Sequence, residues 1–216
     1  MYVLTHNDQV LLGPILWNSR MFNSTIEDDT EIITNILPSD VNNVPLDLGN
    51  GLKIRACTDV YPTLNPKIQF YNGPFWTFTA TTGLASYTVV DKPISLVQQE
   101  LKAQVATQRW VKEQSGTTAV VHNKTVTVDT ARGSRDVFVQ QFLLLAADAT
   151  VQWKFPEGWM TVTKADLGIC VDAGVAHVRG AFAWEAEIVA SVDAALTLAE
   201  LDAIVILPVV TGPGVM

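Results

Sequence analysis

Hydrophobic and polar positions alternate along this chain with two different periods, and the change falls at Asp91-Lys92-Pro93. Up to about residue 92 the dominant period is two, which places successive side chains on opposite faces of a strand. Residues 2–4 and 10–16 flank His6-Asn7-Asp8, whose residue types favour a turn, so a short hairpin opens the chain. Asn50-Gly51 separates Leu46-Asp47-Leu48 from an alternating run over 52–57, and Asn72-Gly73 separates 67–71 from 75–79. Both dipeptides predict hairpin turns, because asparagine and glycine tolerate positive φ. Residues 87–90 add one more strand. Residues 17–22 read as a helical turn. The acidic run Ile26-Glu27-Asp28-Asp29-Thr30-Glu31 precedes an apolar stretch to Leu37, and Pro38 and Pro45 then stop any helix.

Beyond Pro93 the apolar residues recur at three- and four-residue steps. A helix is predicted from 93 to 114, with Ile94, Val97, Leu101 and Val105 on one side and Ser115-Gly116 ending it. Residues 118–122 and 125–130 alternate around Asn123-Lys124 as a hairpin. A second helix runs from Ser134 or Arg135 to about Ala147, with Val137, Phe138, Phe142 and Leu145 on one side. The stretch VQWKFPEGWMTVTKADL, residues 151–167, is the clearest local signature of the chain. Val151, Trp153 and Phe155 alternate with polar residues, Pro156-Glu157-Gly158 turns the chain, and the return strand leads to Thr163, an N-cap with Asp166 three residues on. The longest helix then spans 164–194. Its predicted stripe is Leu167, Val171, Val175, Val178, Phe182, Ala186, Val189 and Val192. Gly168, Gly174 and Gly180 each cost about 1 kcal/mol relative to alanine in a helix interior, so a close approach by another backbone is expected there. Thr197-Leu198-Ala199-Glu200 forms a second capping box before a short helix to Ile204.

The pattern therefore predicts an α+β chain. Residues 1–92 form a β-rich sandwich or barrel used for assembly or docking. Residues 93–204 form a helix-and-hairpin module with one long helix, and 205–216 an extended apolar tail. Composition narrows the function. A formal charge of −8 with fourteen scattered Lys and Arg leaves no footprint for a phosphate backbone, which argues against nucleic acid. Cys57 and Cys170 lack metal-ligand spacing and read as buried free thiols, as in a reducing cytoplasm. The N-terminal MYVLTHNDQ has no basic region leading into an apolar run, and no window reaches the roughly 18 apolar residues of a span. A soluble product without a signal peptide or a membrane association is expected.

Candidate chemistry is sparse. His6, His122 and His177 have no neighbouring ligand at metal spacing, and no HExxH, CxxC, GxSxG or GxGxxG occurs. Glu185 and Glu187 stand two apart on a helix, where side chains diverge, unlike the facing carboxyls of a glycosidase. The acidic run near Glu27 lacks the spacing of a calcium loop. No catalytic residue, metal or cofactor is expected. Of the tryptophans, Trp110, Trp153, Trp159 and Trp184 read as core, and Trp76 is the candidate for an exposed contact. The tail from Val205, with Ile206, Leu207, Val209 and Val210, carries no charged side chain, and its prolines and glycines exclude a helix. Such a segment suits docking on another chain or folding back over its own N-terminal sheet.

In the second half the order of motifs resembles an uncharacterised C-terminal domain family of tail-fibre and baseplate-associated proteins of tailed bacteriophages. The matching residues are the strand Thr125-Val126-Thr127-Val128-Asp129-Thr130, the helix from Arg135, the tryptophan hairpin from Trp153 to Thr163, Ala176-His177-Val178 on the long helix, and Thr197-Leu198-Ala199-Glu200-Leu201. Asn72-Gly73-Pro74-Phe75-Trp76-Thr77 and the run from Tyr87 to Pro93 look like the preceding region of some such proteins. The resemblance implies a non-enzymatic structural protein of the virion tail, assembled in the host bacterial cytoplasm. Its partners would be copies of itself and other tail, baseplate or fibre proteins. It carries over no catalytic residue. Two alternatives stand beside it: a fibre-assembly chaperone that does not stay in the particle, and a carbohydrate-binding adhesin using Trp76.

Overall fold

The structure, a computed structural model, describes residues 1–17 and 37–206. The predicted helical turn after Trp17, the acidic run and most of the apolar stretch after it lie outside these residues. So do Leu207, Val209 and Val210. The fold is α+β, and the chain divides into two compact units, 1–92 and 93–216.

The first unit is one curled sheet. Strands β1 (Tyr2–His6) and β2 (Gln9–Ile15) form the opening hairpin, and its turn residues Asn7 and Asp8 have φ of 49° and 63°. A 3-10 turn, Pro38–Asn43, precedes β3 (Leu46–Gly49), β4 (Leu52–Val60), β5 (Gln69–Phe78) and β6 (Thr82–Asp91). The order is β2-β1-β4-β6-β5, with β3 added on β4. All pairs are antiparallel except β4 and β6, which run parallel from Ala56↔Thr82 to Val60↔Ser86. Leu4, Leu52 and Ile54 form a core on one face, packed by Tyr2, Leu12, Ile15, Trp17, Val44, Leu46 and Leu48. Asn50-Gly51 turns the chain between β3 and β4 as expected, at φ 46° and 81°.

Asn72-Gly73 does not turn it. β5 continues through both residues against β6, with a bulge between Asn72↔Thr88 and Phe75↔Ser86, and the reversal comes after Phe78. The difference is Pro74. Proline restricts the preceding residue and lacks the N–H the ladder needs, so Gly73 at φ 139° becomes a bulge. The real turn is held instead by Thr79, whose Oγ1 accepts from the Thr81 and Thr82 amides.

In the second unit α1 (Ile94–Glu113) leads to the hairpin of β7 (Thr117–Val121) and β8 (Lys124–Val128). Its turn is His122-Asn123, both at positive φ, one residue earlier than the pattern predicts. Both central positions of such a turn need positive φ, and Asn123 takes the second of them, which leaves Lys124 free to start β8. Helix α2 (Arg132–Leu144) starts and stops about two to three residues before the predicted bounds. The reason at the start is Asp129, which accepts from the Ala131 N–H and the Ser134 hydroxyl and so fixes the chain entry. β9 (Thr150–Phe155) and β10 (Gly158–Thr163) form the tryptophan hairpin, with Gly158 already paired to Phe155. Then come α3 (Lys164–Ala194) and α4 (Leu198–Ala203), each opened by the predicted capping box. Ala119, Val121, Val126, Val128, Phe138, Phe155, Val162, Leu167 and Cys170 form the core between hairpins and helices.

Helices α1 and α3 run antiparallel, and each one caps the other. Gln98 Nε2 donates to the Val192 and Ala195 carbonyls at 3.2 Å, while His177 Nε2 donates to the Lys112 carbonyl at 2.6 Å. Both bonds reach carbonyls near a helix C-terminus, which have no partner within the helix. The buried line of α3 is Leu167, Cys170, Gly174, Ala181 and Val192, which keeps Leu167 and Val192 of the predicted stripe, with Val171 packed against the core, but departs from it in the middle. Val175, Phe182 and Ala186 are exposed. In the middle of the helix the buried row is thus displaced by about one residue from the row of greatest hydrophobicity. The expected close backbone approach at the three glycines is absent too. A Cβ on Gly168 would meet the Phe142 ring at 3.2 Å, and at Gly174 and Gly180 it would meet nothing within 4 Å.

Candidate interaction surfaces

The most constrained polar group of the second unit is Glu113, in the last turn of α1, with a side chain only 3% exposed. Arg109, one helical turn earlier, places Nη1 2.5 Å from Oε2. Arg135, at the start of α2, reaches Oε1 at 2.6 Å, and Arg132 approaches the same oxygen at 3.7 Å. Arg109 also pairs with Glu185 on α3 at 3.1 Å and stacks over Phe182, and Arg132 lies over the Trp110 ring. Burial by itself raises the Glu113 pKa, but hydrogen bonds from Arg135 and Arg109 and the charges of Arg135 and Arg132 outweigh it and hold the carboxyl below its ordinary value. This carboxylate is committed to joining three helices. It is no general base, because both oxygens are taken. The Arg109/Glu113 pair is legible as an i,i+4 spacing; nothing local to residues 132–135 announces that they close around it.

Beside this cluster lies a cleft of about 340 Å³. Val128, Phe138, Cys170 and Gly174 line its floor, and Arg132 and Asp136 stand among its polar groups. Cys170 is no nucleophile. Burial pushes its thiol up to about 11, and the negative charge of Asp166 adds to the shift. Asp166 itself serves the N-terminus of α3: Thr163 donates to it through N and Oγ1, and His122 Nε2 lies 3.0 Å away. Burial opposes its ionised form, yet the Thr163 hydrogen bonds and His122 keep its pKa below the usual value. Among the described residues, no group of three or more His, Cys, Asp or Glu is placed to hold a metal.

The sequence-derived contact residues do not come together. Trp76 is half-buried on β5, stacked on Phe78 with ring centroids 5.6 Å apart, and Phe78 lies in turn beneath the Arg55 guanidinium. Exposed aromatic surface is found elsewhere. Tyr61, about half exposed, stacks on Tyr87 and meets Tyr71, while Trp159, at 70% exposure, lies on the outer face of β10 with Lys154 over its ring. Trp159 and Trp110 are thus corrections to the expectation of core packing. Trp159 follows the outward positions of its strand, and Trp110 is held at the surface by Arg132. Val205 is exposed and Ile206 half-buried at the start of the apolar tail.

No helix among the described residues is long and apolar enough to cross a membrane. No curated protein and no solved structure matches the chain. One family does, over residues 97–205, just over half of the chain and nearly all of the unit built around the Glu113 cluster and the tryptophan hairpin. The chain belongs to that family, described as a domain of unknown function, DUF4376.

Proposed function

We propose that this protein is a structural component of a bacteriophage tail, at the baseplate or the fibre attachment point, acting without catalysis by packing against copies of itself and other tail proteins. It is assembled in the host bacterial cytoplasm and retained in the virion. The observation that carries the reading is the ordered motif series from Thr125 to Leu201, which resembles tail-fibre and baseplate-associated proteins. Mass spectrometry of purified virions of a phage encoding this chain tests it. The protein is expected in the particle at a stoichiometric level. Its absence from particles, together with co-purification with unassembled fibre, overturns the structural role and supports the assembly chaperone.

A specific observation favours one second reading, a glycan-binding adhesin. The exposed rings of Tyr61 and Tyr71 offer a stacking surface that the half-buried Trp76 does not. Tyr61→Ala would then abolish binding on a glycan array while leaving the fold intact.

A further inference from the structure

One face of the first unit is built to be covered. Cross-strand partners share a face, so the registers of β4, β6 and β5 assign it without ambiguity. On it lie Ala56, Thr58 and Val60 from β4, then Thr82, Leu84, Ser86, Thr88 and Val90 from β6. β5 adds Phe70, Asn72, Phe75 and Thr77. None of the twelve is charged. The chain as a whole is 17% charged, and none of that charge falls on this face. Val60, Phe70, Phe75, Leu84 and Val90 are each between 38% and 50% exposed. The neighbouring part of the same face, at Leu4, Leu52 and Ile54, is covered by the chain's own apolar residues. The polar groups among the twelve are partly turned inward: Ser86 Oγ donates to the Phe75 carbonyl at 3.1 Å, and Thr88 Oγ1 makes a longer contact to Asn72 O at 3.5 Å. Bonds of this kind survive removal of water, so drying the face strands fewer donors.

We infer that this face is the contact between two copies of the chain, packed sheet against sheet across a twofold axis. The inference rests on the reading of a self-packing structural protein and names its surface. Charge selects the occupant. On a chain of net charge −8, an uncharged face is the part of a second copy that approaches without like-charge repulsion. Shape agrees, because large residues (Leu84, Val90, Val60) share strands with small ones (Ala56, Thr58, Thr82, Ser86, Thr88). The same face therefore offers both projections and gaps, the self-complementarity a twofold interface requires. Extent sets the strength. At about 3.4 Å per residue and 4.8 Å between strands, the face covers roughly 400 Å² of sheet on each copy, an extent that suits a weak, reversible contact and not a permanent one.

Sedimentation of the full chain from 1 µM to about 500 µM tests this. The weight-average mass is expected to rise from 23.6 kDa toward twice that value. Leu84→Lys, at an exposed position that leaves the fold intact by circular dichroism, is expected to weaken the association at least 10-fold, and Phe75→Lys to do the same. Val120→Lys, in the second unit, is expected to leave it unchanged. A monomer at every concentration overturns the inference. So does association that survives both lysine variants, or that only Val120→Lys removes, or binding of this face to phosphatidylcholine vesicles in place of self-association. None of these outcomes bears on whether the protein is found in virions, so failure here and failure of the tail reading are distinguishable.

Discussion

The most deeply buried charges of the two units among the described residues, Arg55 in the first and Glu113 in the second, have opposite signs and are held in opposite ways. Glu113 sits among three arginines drawn from two helices, with both oxygens paired. Arg55, on β4 of the first unit, is equally buried but loosely served. Its Nη1 donates to Thr5 Oγ1 and its Nη2 to Asp8, both at 2.6 Å, but Asp8 is largely in solvent. Its Nε has no hydrogen-bond partner among the described residues. The difference shows what a buried charge can do for a fold. A caged ion ties elements together and becomes costly to break, whereas a half-satisfied one contributes little beyond the packing of its stem.

Removing the caged acid is the sharpest way to break this comparison. Glu113→Ala leaves Arg135 partly buried without its counterion and Arg109 with Glu185 alone, and is expected to cost about 3–5 kcal/mol; thermal denaturation of the full chain would show it. Acid should reproduce part of the effect. Because the folded-state pKa of Glu113 lies below the unfolded value of about 4.3, its contribution is complete above that pH and is lost as pH falls through the lowered folded value. The melting temperatures of the wild type and Glu113→Gln should therefore converge below about pH 4. A constant difference down to pH 2 would remove the cage from the explanation. Arg55→Met keeps the stem and discards the poorly paired head, so stability is expected to stay within about 1 kcal/mol of wild type. A loss comparable to that of Glu113→Ala would show that the two charges are held alike. The smallest effect lies outside both sites. Gly180→Ala fills open space on an exposed turn of α3 and should stabilise by about 0.5–1 kcal/mol, while Gly168→Ala should gain less because its methyl meets the Phe142 ring.

The two Asn-Gly pairs show how far local pattern reaches. Both are the same dipeptide between apolar runs, and only Asn50-Gly51 turns the chain. The information that separates them is one residue further on, in Pro74, and was available to the eye but outweighed by the stronger signal. The capping boxes at Thr163 and Thr197 were fully legible, because a cap is completed within four residues. The stripe on α3 was not. Its most hydrophobic row runs through Val175 and Phe182, yet the buried row passes through Gly174 and Ala181, a choice made by elements distant in sequence. Trp76 failed as an exposed contact for a related reason. Its strand position and its neighbour Phe78, two residues along the same strand, were readable, but the Arg55 cation over Phe78 comes from β4, two strands away in the sheet.

Local sequence is enough for the α+β class, the strand-rich first part and helical second part, the tryptophan hairpin and the caps, because each is set by neighbours within a turn or a strand. Tertiary structure alone decided which charges are buried, which face of α3 is used, and which face of the β4-β6-β5 sheet is left bare. Those outcomes depend on residues up to 97 positions apart, such as Gln98 reaching Ala195. Until the elements pack, no local pattern distinguishes an apolar residue that finds a partner from one that is left facing solvent.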